Sequence, residues 1–308
     1  MPLPVRAKED QQLPEGSLIK IFYSPRVYDM SHVYKLSLDD DIIKFENDQF
    51  IIVDKPHGVN LGPLIDNLHN NLTYYIQTQK YNNAIKLYNP HRLDSPTRGL
   101  AIIIKDHSYV SKFNQVLRSR NNISKIYKAY LPITDDNINL TIETGILRHW
   151  MNNTDSSPKE LSLEKLGDNW LECILDIKKV EEQSFIFSLS DQMNDYDIDL
   201  LKSQVTTDMI GKGSYRSRSK ILSFKVVEIE LITGRTHQIR TQLSQIGFPI
   251  LSDIMYGGKT LQNLLLNINT KPSPPSTSYT NPKMIGLIAN QLSFTCPISQ
   301  KSYNFQLS

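Results

Sequence analysis

The chain has 308 residues, of which 39% are hydrophobic and 21% are charged. These values are typical of a folded globular protein and exclude a collagen-like or disordered chain. Lys and Arg number 34 and Asp and Glu 32, so the net charge of +2 gives no overall sign of a nucleic-acid partner. No run approaches the roughly 18 apolar residues of a membrane helix, and we expect no membrane association.

Apolar and β-branched runs bounded by Gly, Pro or Asn predict strands along the whole chain. In chain order these strands cover residues 50–53, 100–105, 126–133, 171–177, 185–189, 221–232 and 284–294. Helices are predicted between them at residues 64–79, 108–118 and 236–246. In the last helix, Ile239, Leu243 and Ile246 recur at helical spacing, and Thr236 is expected to cap the start. Strands interspersed with helices predict an α+β protein with a mixed sheet.

Cysteine and histidine usage limits the chemistry that the chain offers. Cys173 and Cys296 are the only cysteines, which excludes a disulfide framework and a C-x-x-C zinc pair. The seven histidines include no HxxxH or HExxH pattern, so the sequence predicts no metal site. The first residues also lack the apolar region of a targeting signal. Together these features favour a reducing compartment, the cytoplasm, and leave an organelle open.

Basic residues concentrate in two segments of the chain. Residues 91–128 carry a net charge of +6 and residues 211–242 carry +5, so the remaining 238 residues carry −9. This distribution is expected when two segments line one groove for a polyanion. The alternative is two ordinary solvated surfaces, and charge alone leaves both open.

The first basic segment begins with the sequence HRLDSPTRG, residues 91–99, directly before a predicted strand. A carboxylate in such a loop lies at the edge of a sheet, where it can face a cleft. An Asp before Ser-Pro is also a common turn residue that bonds its own backbone. Considered alone, Asp94 could be either a turn residue or a catalytic carboxylate, and both roles stay open. The loop also holds His91, Arg92 and Arg98, which a turn alone does not require.

The second basic segment contains TGRTHQIR, residues 233–240, at the start of a predicted helix. Gly234 permits a sharp turn, and His237 and Arg240 lie three residues apart on one helical face. Pairing of the arginine with a nearby acid or with solvent is the simpler alternative. The chain has no G-x-x-x-x-G-K-[ST] phosphate loop.

Five segments resemble the successive motifs of the RluA-type pseudouridine synthases, in that family's order. They are VDKPHGV at 53–59, HRLDSPTRGLAIIIK at 91–105, SKIYKAY at 124–130, TGRTHQIRTQLSQIGFPILSD at 233–253 and LIANQLSFTCP at 287–297. The resemblance implies the α+β catalytic fold of that family, with a mixed, largely antiparallel sheet and a central cleft. It also implies an isomerase that converts specific uridines of rRNA or tRNA to pseudouridine without a metal or an organic cofactor. We expect the protein to act as a monomer.

The resemblance also assigns roles to single residues. Asp94 matches the catalytic aspartate, and its route stays open between attack on the base, attack on C1′ and formation of a glycal. Tyr127 matches the tyrosine that packs on the target base and assists a proton transfer. Arg240 matches the arginine that pairs with the aspartate, and a cation this close favours the ionised carboxylate.

Further residues of the same motifs are expected to bind RNA or to support the site. Arg92 is expected to occupy the space that the extruded uridine leaves. The other predicted RNA-binding residues are Arg98, Arg235 and His237. The predicted active-site scaffold consists of Lys55, Pro56, His91, Leu93, Thr97, Gly99, Gly234 and Thr236.

The resemblance divides the chain into an extension and one domain. Residues 1–49 predict a partly flexible N-terminal extension, too short for a complete S4-like RNA-binding module. Residues 50–308 predict the catalytic domain, with polar insertions near 191–219 and 269–282.

Two features depart from the family pattern. Arg98 stands where many relatives have Ser, and either an added phosphate contact or a change in loop packing is expected from it. The tail reads Leu287-Ile288-Ala289 instead of Leu-His-Ala. Two other functions compete with the isomerase. One is a non-catalytic RNA-binding or assembly factor that keeps the fold. The other is a nucleotide-hydrolysing or sugar-cleaving enzyme, for which the chain shows no phosphate loop and no obvious second catalytic carboxylate.

Overall fold

The computed structural model describes residues 12, 14–17, 30–31, 33–65, 67–119, 122–188, 219–266 and 284–307. Within them the backbone forms a sheet of ten strands. The strands are β1 Ile43–Glu46, β2 Phe50–Lys55, β3 Arg98–Ile104, β4 Ile123–Pro132, β5 Gly145–Asn152, β6 Leu161–Ser162, β7 Trp170–Ser188, β8 Ser219–Leu231, β9 Leu287–Thr295 and β10 Ser302–Gln306.

The described residues form only a few short helices. The α-helices are α1 Leu72–Gln79, α2 His107–Ser119, α3 Gln238–Gln245 and α4 Leu261–Leu266, with 3-10 turns at Val33–Lys35 and Ile254–Tyr256 and a π-helical turn at Leu38–Ile42. None of these helices is long and apolar enough to cross a membrane.

The sheet runs in the order β1-β2-β3-β9-β4-β8-β7-β5-β6, and β10 pairs with β9. Only the β3–β9 pair is parallel among the described strands. The predicted α+β class with a mixed, largely antiparallel sheet is therefore confirmed.

The register of the central strands places the first motif beside Tyr127. Gly99 of β3 pairs with Ala289 of β9, which pairs with Tyr127 of β4, and Tyr127 in turn pairs with Ile229 of β8. The loop that precedes β3 therefore enters the sheet in the same row as Tyr127. The second motif follows β8 within a few residues, so the sheet brings both motifs together.

The apolar runs at 50–53 and 100–105 reflect burial on both faces of β2 and β3. Ala101 and Ile103 pack in a core cluster that also includes Leu72 and Ile76 of α1. Their neighbours along β3, Leu100, Ile102 and Ile104, pack in another cluster with α2 and β9. Because successive side chains of a strand point to opposite faces, a strand covered on both sides is apolar at nearly every position.

Helix α1 begins later than the predicted residue 64. Asn67 intervenes, since its side-chain oxygen accepts the backbone N–H groups of His69 and Asn70 at 3.2 and 2.8 Å. Such local bonds compete with helix formation. The helix begins only after Asn71, whose side chain accepts the backbone N–H of Tyr74 at 3.0 Å and so caps it.

Other boundaries also differ from the predictions. The two predicted strands at 171–177 and 185–189 are one strand, β7, in which the intervening residues pair with β8. Strands β1, β5, β6 and β10 were not predicted. β1 pairs with β2, so the sheet begins within the predicted extension of residues 1–49. The predicted insertions at 191–219 and 269–282 lie outside the described residues, except that Ser219 begins β8.

Candidate active site

Residues of both sequence motifs line one cleft of about 450 Å³. Among the described residues that line it, Asp94 is the only acid. The lining also includes the basic side chains of Arg92, Arg118, Lys125, Arg235 and Arg240. A single carboxylate thus lies in a strongly positive cleft, which suits a polyanionic ligand that meets one reactive acid.

Arg240 joins Asp94 to a second acid, Asp253. Its Nε and Nη2 atoms donate to the two carboxylate oxygens of Asp253 at 2.7 and 2.8 Å. Its Nη1 atom lies 3.4 Å from Oδ2 of Asp94. The guanidinium therefore makes a tight bidentate pair with Asp253 and presents its remaining nitrogen to Asp94.

The Arg240–Asp253 pair is almost completely buried. The Asp253 side chain is 0% exposed and that of Arg240 is 3% exposed. Burial would lower the pKa of Arg240, but the hydrogen bonds and charge of Asp253, and then the charge of Asp94, raise it. Arg240 therefore stays cationic next to Asp94, and its burial leaves it unable to contact RNA phosphates directly.

Tyr127 forms the other wall of the site near Asp94. Its ring lies in the core cluster that contains Leu93, Ile239 and Leu287, and it also lines the cleft. Burial, and then the negative charge of Asp94, raises the pKa of Tyr127. The phenol therefore keeps its proton at neutral pH, so that it acts as an apolar surface with a hydrogen-bond donor.

His237 lies on the opposite side of Asp94, at the residue before α3. Its Nε2 is 3.8 Å from Oδ2 of Asp94, and its Nδ1 is 2.9 Å from the Tyr256 hydroxyl. Burial lowers the pKa of His237 to about 4, more than the attraction of Asp94 raises it. The imidazole is therefore neutral at physiological pH.

The loop that carries Asp94 is held from behind by the turn at Lys55-Pro56. The Lys55 ammonium is fully buried and donates to the carbonyls of Pro56, Val59 and Ser95 at 2.8, 2.9 and 3.0 Å. Burial lowers the pKa of Lys55 to about 7, against the attraction of Asp94 and Asp54. Because Ser95 follows Asp94, these bonds fix the carboxylate relative to β2.

Two other backbone links hold the same loop. His57 Nδ1 lies 2.8 Å from the carbonyl of Pro96, and the Gly58 N–H donates to that of Ser95 at 2.9 Å. His91 anchors its beginning, since Nε2 accepts the N–H of Ile102 at 3.1 Å. Gly99 ends it with φ +122°, where a Cβ would lie 2.3 Å from the Ala289 carbonyl oxygen.

The structure places Arg98 away from the cleft. Its Nε and Nη2 donate to the two carboxylate oxygens of Asp54 at 3.3 and 2.9 Å, and Asp54 is buried. The cleft-lining residues do not include Arg98. Its position supports a role in joining β2 to β3, whereas the other predicted RNA-binding residues, Arg92, Arg235 and His237, do line the cleft.

The turn of the second motif is shaped by Gln238. Its Oε1 accepts from the Thr233 hydroxyl at 2.8 Å and from the Arg235 N–H at 3.0 Å, and its Nε2 donates to the Ile174 carbonyl at 3.0 Å. Thr236 lines the cleft but does not cap α3. The cap position belongs to His237, which has φ 59° and no capping side-chain bond, so the predicted cap is wrong.

Of the predicted scaffold, His91, Leu93, Thr97, Gly234 and Thr236 line the cleft, and Lys55, Pro56 and Gly99 support it from outside. Sequence reasoning missed Asp253, Tyr256, Gln238 and Lys125. Asp253 closes the fourth matched segment, and Lys125 precedes Tyr127 by two residues on β4, so the alternation of a strand could have placed it in the cleft. Burial lowers the pKa of Lys125.

No group of three or more His, Cys, Asp or Glu side chains that could hold a metal ion occurs in the described part of the chain.

Comparison with known proteins agrees with this geometry. A family model described as RNA pseudouridylate synthase matches residues 49–245, which is more than half of the chain. The chain belongs to this family, of the RluA type, and the resemblance seen in the sequence motifs is confirmed.

Named relatives include both organellar and bacterial proteins. The chain is 24% identical over 250 residues to "RNA pseudouridine synthase 6, chloroplastic" of Oryza sativa subsp. japonica, covering 80% of this chain and 46% of the rice protein. It is 29% identical over 215 residues to "tRNA pseudouridine(31) synthase" of Saccharomyces cerevisiae, covering 70% and 46%. It is 26% identical over 223 residues to "Ribosomal large subunit pseudouridine synthase D" of Pseudomonas aeruginosa, covering 70% and 53%. The chain thus spans about half the length of these relatives.

Solved structures share the fold. "Human RNA Pseudouridylate Synthase Domain Containing 1" has a TM-score of 0.52 at 15% identity, over 88% of this chain and 84% of the human one. "Human RNA Pseudouridylate Synthase Domain Containing 4" also has a TM-score of 0.52, at 17% identity, over 86% of this chain and 87% of that one. The predicted pseudouridine synthase fold is confirmed.

Proposed function

We propose that this protein is an RNA pseudouridine synthase in which Asp94 is the catalytic carboxylate. The observation that carries the proposal is the position of Asp94, the one acid among the described cleft residues, 3.4 Å from the buried Arg240. The reaction is an isomerisation: the bond from C1′ to N1 breaks, the base turns, and a bond from C1′ to C5 forms. The C5 proton is lost and N1 gains one, so the reaction has no net redox change.

The surroundings of Asp94 support this chemistry. The fixed cation of Arg240 attracts and orients the carboxylate that each possible route needs beside the glycosidic bond. Tyr127 offers a flat buried ring on which the turning uracil packs, and its protonated phenol is placed to assist proton transfer.

The target uridine must leave the base stack of the RNA to reach Asp94. Extrusion costs a few kcal/mol, and a side chain that fills the vacated space offsets part of that cost. Arg92 is exposed at the rim of the cleft, two residues before Asp94, and we assign it this place. Arg118 and Arg235 lie at the same cleft and supply sequence-independent attraction to phosphates.

The substrate we propose is a structured rRNA or tRNA. The relatives named above act, by their names, on tRNA and on the large ribosomal subunit. The cleft carries no feature that selects between the two, because its described cations recognise phosphates rather than bases.

A comparison of RNA from cells that carry wild-type protein, Asp94→Asn or Asp106→Asn tests the proposal. Asp106 is half-buried, like Asp94, but does not line the cleft, and it serves as the matched control. Pseudouridine mapping should show sites that Asp94→Asn loses and Asp106→Asn keeps. Unchanged modification in Asp94→Asn would identify the competing function, a non-catalytic RNA-binding or assembly factor. Release of free uracil would instead indicate glycoside cleavage.

We also propose that the protein works as a monomer in a reducing compartment, the cytoplasm or an organelle. Both cysteines are free, buried thiols, which supports the reducing compartment. Sedimentation at micromolar concentration tests the monomeric state, and imaging of a tagged protein tests the compartment.

A further inference from the structure

The imidazole of His237 is held in a defined orientation that the proposed roles of Asp94, Tyr127 and Arg240 do not use. His237 has φ 59° and ψ 18°, a left-handed conformation that residues with a side chain rarely adopt. Its carbonyl accepts both the backbone N–H and the hydroxyl of Thr241, each at 2.9 Å. This conformation directs the ring edge between Asp94 and Tyr256.

Tyr256 holds one ring nitrogen of His237. Its hydroxyl lies 2.9 Å from Nδ1 of His237, accepts the backbone N–H of Lys159 at 3.0 Å, and also meets the side chain of Thr241. The single hydroxyl hydrogen can be directed at Nδ1 or at Thr241, so these bonds fix the ring but leave both tautomers open.

The charge of Asp94 favours the tautomer with the proton on Nε2, in which the Tyr256 hydroxyl donates to Nδ1. Nε2 faces Oδ2 of Asp94 at 3.8 Å. An N–H group directed at a carboxylate is attracted, whereas a nitrogen lone pair in that place would be repelled. Tyr256 itself is fixed, because its ring packs 5.1 Å from the guanidinium carbon of Arg240 and its carbonyl accepts the Ser244 hydroxyl at 2.7 Å.

Nε2 of His237 and Oδ2 of Asp94 are too far apart for a direct hydrogen bond. A hydroxyl oxygen to the side of the line that joins them can accept from Nε2–H at about 3 Å and donate to the carboxylate at about 2.7 Å. Under the proposed function, Asp94 lies beside C1′ of the target nucleotide. The 2′-hydroxyl is attached to the neighbouring carbon and is both a donor and an acceptor.

We propose that His237 is a further substrate-binding residue whose Nε2–H hydrogen-bonds the 2′-oxygen of the target uridine, with Tyr256 as the positioning residue that holds the ring through Nδ1. The inference rests on the proposed function, because that function places the ribose beside Asp94. In this arrangement the 2′-hydroxyl hydrogen-bonds both His237 and Asp94, and a deoxyribose, which lacks that hydroxyl, makes neither bond.

The tautomer is tested without any RNA. Nitrogen NMR of protein labelled at histidine should show, at pH 7, an unprotonated Nδ1 and a protonated Nε2 for His237. Asp94→Asn keeps the shape of the side chain and removes the charge that faces Nε2, so it should give a mixture of tautomers. A proton on Nδ1 in the wild-type protein would overturn the proposal.

The ribose contact is tested with two RNA hairpins that carry the uridine found by mapping. They differ only at that nucleotide, which has either a 2′-hydroxyl or a 2′-hydrogen. His237→Asn tolerates the left-handed backbone but does not reach toward Asp94. His237→Gln places an amide nitrogen near the position of Nε2. The exposed His107, outside the cleft, gives the control variant His107→Asn.

On the ribose hairpin we expect His237→Asn to lower turnover by about 10- to 100-fold, with His237→Gln and Tyr256→Phe in between. On the deoxy hairpin His237→Asn and wild-type protein should differ by less than about threefold, because the bond is already missing. Equal losses on both hairpins overturn the proposal. The same cycle run on dissociation constants, with Asp94 intact, tests the contact separately from turnover. Wild-type protein that binds the ribose hairpin without converting it would count against the proposed function alone.

Discussion

Arg240 makes its tight pair with Asp253 rather than with Asp94. The bidentate bonds to Asp253 measure 2.7 and 2.8 Å, whereas the approach to Asp94 is 3.4 Å. Asp253 thereby fixes the plane of the guanidinium, and Asp94 meets a cation that is already oriented. Orientation before the substrate arrives is how a fixed charge contributes most to catalysis.

Asp253→Asn is expected to lower both stability and turnover, because it leaves the Arg240 cation buried with a neutral partner. Loss of one member of a buried ion pair costs roughly 3–5 kcal/mol. Urea unfolding measures the loss of stability, and a separate assay of pseudouridine formation on the mapped RNA measures the loss of turnover. Asp136→Asn is the control, since Asp136 pairs with Lys259 at the surface and should cost less than about 1 kcal/mol. A stable, fully active Asp253→Asn would show that Asp94 alone orients Arg240.

Arg240→Ala is expected to impair catalysis far more than RNA binding, because the buried guanidinium reaches Asp94 and Asp253 but no phosphate. Turnover should fall by at least about 100-fold, with a dissociation constant within about threefold of wild type. Arg235 lies at an exposed position of the cleft, so Arg235→Ala should weaken RNA binding more than it lowers turnover. Kinetics and fluorescence anisotropy on one RNA give the two numbers for each variant. Equal losses of binding and turnover in Arg240→Ala would contradict this assignment.

Arg98→Met is expected to weaken the fold and to leave RNA binding intact, because its guanidinium pairs with the buried Asp54. Its unfolding free energy should fall by roughly 2 kcal/mol. The slope of log affinity against log salt should not change, whereas Arg92→Met should reduce it by about one. A reduced salt slope in Arg98→Met would restore the RNA-binding role predicted from the sequence.

Acid is expected to destabilise the protein through its buried histidines. Burial, the largest cause in each, lowers the pKa of His57 to about 3 and those of His91 and His237 to about 4, from an ordinary 6.5. Below pH 6.5 the unfolded chain therefore binds protons that the folded protein does not, so stability falls as the pH falls toward 4. Each such histidine contributes about 1.4 kcal/mol per pH unit. Urea midpoints at pH 7, 6 and 5 should decrease, and His57→Gln should make the decrease smaller. Midpoints that stay constant would contradict the neutral, buried state.

The sequence alone determined the family, the class of fold and the acid in the cleft. HRLD and GRTHQIR are local patterns, so their residues were found without knowledge of the fold. The doubly buried strands β2 and β3 were also visible, because burial on both faces makes every position apolar. Shorter or more polar elements such as β1 and β10 gave no such signal, since pairing with neighbours rather than residue type forms them.

Tertiary structure decided which partners these residues have. Asp253 and Asp54 are ordinary acids in the sequence. Only the folding of the loop after α3 brings Asp253 to Arg240, and only the pairing of β2 with β3 brings Asp54 to Arg98. The same holds for Tyr256, which reaches His237 through the turn after α3. Side-chain type and spacing reveal which groups can react, but the charges and hydrogen bonds that tune them depend on sheet register and loop packing, which join residues far apart in the chain.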